Sequence, residues 1–244
     1  MLNQQTLQQV RDFAISSDWN TAFAGTSHGN QHLFRMVKIA TWLADRLQAD
    51  KNIVEAAAWL HDFPLASGHD YNYKRNQKVT KSILDNFTLT EEEENRITNA
   101  AAAHEGTGDI PTLEAQIIHD ADVLEKTGIL GIIRHTWKLI HSSEGSNQGD
   151  DTSIANSVVE HLQWRRQRLQ TSLAKDIHHY LIKDLDMSPS FTQKIVSYIR
   201  PLAEQHMITE KIAQELKQIL RDTEYQKLEE QLSLDYLRLF DKKN

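Results

Sequence analysis

Four short segments place imidazoles and carboxylates where a globular domain normally puts alanine or leucine. They are Ser27-His28-Gly29-Asn30-Gln31-His32-Leu33-Phe34-Arg35, Ala58-Trp59-Leu60-His61-Asp62, Ala103-His104-Glu105 and His119-Asp120-Ala121-Asp122-Val123-Leu124, each at one end of an apolar helical run. A His followed directly by Asp offers one nitrogen and one oxygen ligand, but the dipeptide by itself is weak evidence. The set says more. His32, His61, Asp62 and Asp122 together make a mixed nitrogen and oxygen group suited to one octahedral divalent ion such as Mn, Fe, Co, Ni or Mg. The chain contains no cysteine, which excludes thiolate zinc sites, disulfides and cysteine nucleophiles together.

The elements that must position these residues read as helices. Only 9 Gly and 4 Pro punctuate 244 residues, and no long alternation of β-branched and polar residues suggests a strand. A first helix is expected from Thr6 to about Ser16. A second begins near Ser27 and puts Leu33, Val37, Ala40, Ala44 and Leu47 on one face, with His28 and His32, four apart, sharing a face near its start. Asn52 can cap a short helix that ends at Leu60 and delivers His61-Asp62 before Pro64 and Gly68 interrupt the pattern. A helix from about Tyr73 to Asn86 carries Lys74, Arg75, Lys78 and Lys81 around its first half. Thr90-Glu91-Glu92-Glu93 is a capping box that opens a helix running to His104. A single helical stretch is expected from Leu113 to about Ile140, followed by a linker, Ser142 to Asp151. Later helices are expected near Thr152 to Lys183, Pro189 to Met207 with Ser188 as cap, and Glu210 to about Phe240. The expected division is therefore a core over 1–141 and a C-terminal extension over 142–244, whose helices serve as support, lid or self-association surface.

Composition narrows the function classes. Lys and Arg total 27 against 34 Asp and Glu, and the formal charge of -7 gives no global basic field to draw the chain to nucleic acid or anionic lipid. The N-terminus lacks the basic-then-apolar order of a signal peptide, and no apolar run approaches the roughly 20 residues needed to cross a bilayer. The expectation is a cytoplasmic protein without a membrane partner.

On its His-x-x-x-His-x-x-Arg opening (His28 to Arg35), Ala-x-x-x-His-Asp centre (Ala57 to Asp62) and Asp-Ala-Asp-x-Leu close (Asp120 to Leu124), the sequence resembles the HD superfamily of metal-dependent phosphohydrolases, in particular its small bacterial branch. The resemblance covers roughly residues 25 to 135 and is most specific over Leu113 to Glu125. It implies an all-α helical bundle and places the metal ligands on His32, His61, Asp62 and Asp122, with His28 and His104 as further active-site histidines. Asp120 is then read as supporting the ligands, and His119 as structural. The chain departs from the branch at Gly29, where Asp is usual, and at Val123, where Arg is usual. Phe63-Pro64-Leu65 replaces the Gly-Lys that follows His-Asp in cyclic-dinucleotide phosphodiesterases, which disfavours that subclass.

The chemistry so implied is metal-assisted hydrolysis of a phosphate ester or anhydride in a small phosphorylated compound, with a nucleotide the leading substrate. Asp62 and His104 are the candidates for handling the proton. Lys74, Arg75 and Lys78 follow the His-Asp loop closely enough to meet a phosphate, or else form a solvated helix face. His135, His141, His161, His178, His179 and His206 read as surface or boundary residues. The rival expectation is a non-catalytic member that binds a metal or nucleotide and acts through its C-terminal helices.

Overall fold

The computed structural model describes residues 2–20, 31–64, 71–106, 108, 110–141 and 149–241, and among them there is no strand. The fold is all-α. The helices are α1 (Gln4–Asn20), α2 (Gln31–Leu47), α3 (Lys51–Leu60), α4 (Tyr73–Leu84), α5 (Glu91–Ala102), α6 (Leu113–Glu125), α7 (Gly128–His141), α8 (Asp151–Arg166), α9 (Ser172–Ile182), α10 (Pro189–Glu204), α11 (Thr209–Glu215) and α12 (Asp222–Ser233). Short 3-10 turns at Leu216–Gln218 and Asp235–Phe240 follow α11 and α12. None of these helices is long and apolar enough to cross a membrane.

The chain divides into two compact units, Met1–Asp122 with Leu169–Thr171, and Val123–Arg168 with Ser172–Asn244. The division thus falls after Asp122, because α7 packs on α8, α10, α11 and α12. Of the expected linker, residues 142–148 lie outside the described residues.

In the first unit α3 is the central element, packed against α1, α2 and α5. Its Ala56, Ala57 and Ala58 are buried, as are Ala40 and Ala44 of α2 and Ala100 to Ala102 of α5. These short side chains let helix backbones approach closely. Leu33, Met36, Ile39 and Leu43 of α2 recur at helical spacing and are buried with Ile53, Leu60, Ile97 and Ile117. Each such aliphatic side chain contributes roughly 1.5–3 kcal/mol on leaving water. His32 lies on the same face of α2 and is drawn inside with its neighbours.

The helix boundaries refine the expectations. The capping box on α5 is present in both directions, between Thr90 and Glu93, and Ser188 caps α10 with Pro189 in its first turn. The cap of α3 is Asp50, whose side chain accepts from Ile53 N at 3.4 Å, and not Asn52. Asn52 instead donates to the Leu2 carbonyl at 2.8 Å, tying the chain's start to α3.

Three expected long helices are each broken. The stretch from Leu113 divides between α6 and α7 at Gly128, whose φ of 59° is a left-handed conformation that glycine adopts at no steric cost. Gly131 keeps the break tight, since a Cβ there would collide with the Lys126 carbonyl. The stretch from Thr152 divides between α8 and α9 at residues 167–171, where backbone donors bind a carboxylate described below. The C-terminal stretch from Glu210 is likewise divided into α11, α12 and the two 3-10 turns.

Candidate metal centre

Every element of the site belongs to the first unit. Helix α2 supplies His32 one residue after its start, α3 ends at Leu60 and hands on His61-Asp62, and α6 supplies Asp122. His32, His61 and Asp122 are fully buried, whereas the Asp62 side chain keeps 15% exposure. The two imidazole Nε2 atoms stand 3.2 Å apart. Asp62 places Oδ2 3.3 Å from His32 Nε2 and Oδ1 3.2 Å from His61 Nε2. Asp122 Oδ1 lies 3.4 Å from His32 Nε2 and 3.8 Å from His61 Nε2.

The protonation of His61 decides what this arrangement can hold. Its Nδ1–H donates to the Ala58 carbonyl at 2.7 Å, so in the neutral ring Nε2 carries a lone pair. Burial pushes the His61 pKa down to about 4, against the opposing pull of Asp62 and Asp122 and with help from His104 and His32. A lone pair on His61 Nε2 therefore faces carboxylate oxygens of both aspartates. Acceptor set against acceptor is repulsive unless a cation lies among them. Neighbouring ligand atoms around a divalent ion bound at roughly 2.0–2.2 Å stand about 3.0–3.5 Å apart, close to the separations found. His32, His61 and Asp122 offer ligand atoms that all lie within 4.8 Å of one another. The donor set fits a divalent ion.

His104 is fully buried beside the cluster, its ring centroid 5.3 Å from that of His61. Its Nδ1–H donates to the Ala101 carbonyl at 2.9 Å. Its own carbonyl accepts from His119 Nδ1–H at 2.7 Å, which gives His119 the structural part expected of it. Asp120 is turned elsewhere: its carboxylate accepts from the backbone N–H of Gln170 and of Thr171, both at 2.8 Å, and from the Thr171 hydroxyl at 2.7 Å. Burial raises the Asp120 pKa, and these donors and His119 pull it the other way.

Residues 30–127 match the sequence model of the HD domain. The chain carries an HD domain. The HD domain implies the superfamily of metal-dependent phosphohydrolases, some of whose members are non-catalytic, and the buried cluster of His32, His61 and Asp122 is consistent with divalent metal binding. No curated protein matches the sequence. Among solved structures, a protein from Lactobacillus plantarum is similar at 20% identity and TM-score 0.57, over 83% of this chain and 98% of that one. YpgQ of Bacillus subtilis, in complex with ADP, is similar at 20% identity and TM-score 0.52, over 82% of this chain and 95% of that one. Selenomethionine YpgQ gives 22% identity and TM-score 0.52 over 82% and 94%. At these identities the likeness concerns the fold.

Other expected site residues fall differently. His28 and Gly29 lie outside the described residues. Lys74 and Lys78 are exposed on α4, and Arg75 is half-buried. Arg35 and Glu105 stand in the motif segments but were given no role from the sequence; both are buried, at 6% and 1% exposure. The signal for Arg35 was its spacing, three residues after His32 on the inward face of α2. Glu105 directly follows His104, and its Oε1 lies 4.0 Å from His104 Nε2.

Proposed function

We propose that this protein is a divalent-metal-dependent phosphohydrolase acting on a small phosphorylated compound, with a nucleotide the leading substrate. The observation that carries the reading is the lone pair of His61 Nε2 facing the carboxylates of Asp62 and Asp122 beside His32 Nε2. His32, His61, Asp62 and Asp122 would hold the ion. When bound, a divalent ion there polarises a phosphoryl oxygen and acidifies a water. Asp62 is the carboxylate of the set with solvent access, and so the one placed to take a proton from water. His104 has its Nδ1–H committed to Ala101, which leaves Nε2 as the atom that gives or takes a proton at the leaving oxygen. Lys74, Arg75 and Lys78 on α4 would supply positive charge to the phosphate. That YpgQ was crystallised with ADP favours a nucleotide.

The test is metal content of the purified protein together with turnover of nucleotides and simple phosphate esters in Mn²⁺. Turnover that disappears in His61→Ala along with the metal is expected. Bound metal without turnover of any compound would favour the non-catalytic reading, in which the pocket binds and the C-terminal helices act.

A further inference from the structure

A pair of imidazoles meets in the second unit where two helices end. His141 is the last residue of α7, and His206 follows the end of α10 by two positions. Their ring centroids lie 4.7 Å apart, with the ring planes tilted by 42°. In the metal centre of the first unit the centroids of His32 and His61 are 5.3 Å apart. Two imidazoles bound at about 2.0–2.1 Å to one ion, with an angle of about 90–110° at the metal, hold their centroids roughly 4.5–5.3 Å apart. Both pairs satisfy that spacing.

His141 is set up as a ligand by its own helix. Its Nδ1–H donates to the Trp137 carbonyl at 3.0 Å, so Nε2 keeps a lone pair in the neutral ring. A ring N–H given to a backbone carbonyl is the usual support of a metal-binding histidine, and His61 has the same support from Ala58. Burial holds the His141 pKa below the ordinary histidine value, against the Trp137 carbonyl and with help from His206. Trp137 braces both members of the pair. Its ring stacks on His141 with centroids 3.9 Å apart, and its Nε1–H donates at 3.1 Å to the carbonyl of Met207, the neighbour of His206.

His206 occupies a place where glycine is usual. Its N–H donates to the Ala203 carbonyl at 2.8 Å and that of Met207 to the Leu202 carbonyl at 3.0 Å, the paired bonds that close a helix around a left-handed residue. The φ of His206 is accordingly 58°, a conformation that costs any residue with a Cβ. The imidazole held there is exposed and makes no side-chain hydrogen bond to a described residue. Because α7 and α10 both end at this point, the negative ends of two helices favour a cation beside the pair.

We propose that His141 and His206 form a second metal site, which takes a transition-metal divalent ion of the zinc class. His141 Nε2 and one ring nitrogen of His206 are the protein ligands, and water fills the other positions. Imidazole nitrogen suits Zn, Ni and Cu, whereas Mg and Ca take oxygen. The exposed side of His206 is the way in for the ion. The site shares no residue with the centre formed by His32, His61, Asp62 and Asp122, so it stands or falls separately from the hydrolase reading.

The test counts ions on the full-length protein. Chelator-stripped protein is dialysed against a range of Zn²⁺ concentrations, and bound zinc per chain is measured by elemental analysis for wild type, His141→Gln, His206→Gly, Asp122→Asn and His179→Gln. His179 is an exposed histidine of the second unit outside the pair. One class of bound zinc should weaken about tenfold or more in His141→Gln and in His206→Gly, and stay within a few-fold in Asp122→Asn and His179→Gln. Glycine suits the backbone at position 206, so His206→Gly tests the ligand without endangering the fold. Zinc binding unchanged in His206→Gly, or lost equally in His179→Gln, overturns the proposal, and so does Mg²⁺ filling the same sites as tightly as Zn²⁺. If instead Asp122→Asn leaves every ion in place while His206→Gly loses one, the metal centre of the first unit fails and the His141–His206 site stands.

Discussion

Thr171 holds the carboxylate of Asp120 at two points, through its backbone N–H at 2.8 Å and its hydroxyl at 2.7 Å. Asp122, two residues further along α6, is rotated by about 200° on the helix and lies among the imidazoles of His32 and His61. One helix thus directs two aspartates to different tasks. Asp120 fastens residues 169–171 to the first unit, and Asp122 completes the donor set.

Asp120→Asn and Asp122→Asn should accordingly fail in different ways. The amide in Asp120→Asn must turn either its nitrogen or its uncharged oxygen toward donors that now meet a carboxylate, and hydrogen bonds to charged groups are worth about 1.5–3 kcal/mol each. A clearly lowered melting temperature with metal retained is expected. Asp122→Asn should lose metal and keep most of its stability in the metal-free state. Melting curves with and without chelator, alongside elemental analysis, make the comparison, and metal loss from Asp120→Asn alone would reverse the two assignments.

That difference between Asp120 and Asp122 was readable in the sequence, because the Asp-Ala-Asp spacing puts the two carboxylates on different faces of any helix. His61-Asp62 at the end of a helix and the cap at Thr90 were local enough to be read as well. What escaped depends on distant partners. Nothing near Asn52 shows that Asp50 takes the cap while Asn52 reaches back to Leu2. Gly128 looks like an ordinary helix interruption until its positive φ is known. His178 is buried where a surface or boundary position was expected.

His104 should prove costly to remove in two separable ways. His104→Ala empties a fully buried space and ends the Nδ1–H bond to the Ala101 carbonyl, so the melting temperature should fall. The acid–base role of Nε2 predicts in addition a loss of about 10²-fold or more in kcat, measured well below the melting point on protein with full metal content. A lowered melting temperature with unchanged kcat would leave His104 a purely structural residue.

On α4, the cations test whether the substrate carries a phosphate to this part of the first unit. Lys74→Gln, Arg75→Gln and Lys78→Gln should all keep their metal, and the one that meets the substrate should raise KM or lower kcat/KM. The exposed Lys74 and Lys78 should change stability by no more than about 0.5 kcal/mol. Three variants with wild-type kinetics would identify this face as merely solvated.

Two histidines of the second unit, His178 buried and His135 half-buried, predict a specific acid sensitivity. Burial and the charge of Arg166 push the His178 pKa from 6.5 down to about 4 in the native protein. The unfolded chain titrates near the ordinary value. Between these two values the unfolded state binds a proton that the native state refuses, so unfolding becomes more favourable as pH falls. The contribution of neutral His178 is therefore fully present above pH 6.5 and is lost as the pH falls toward about 4, with a slope of up to about 1.4 kcal/mol per pH unit. His135, pushed down to about 3, adds to the slope over the same window and extends it downward. Denaturant midpoints taken across this window in phosphate-free chloride buffer should fall less steeply for His178→Gln and for His135→Gln than for wild type, since glutamine has no proton to gain. Parallel curves for wild type and both variants would place the acid sensitivity in the carboxylates and not in these imidazoles.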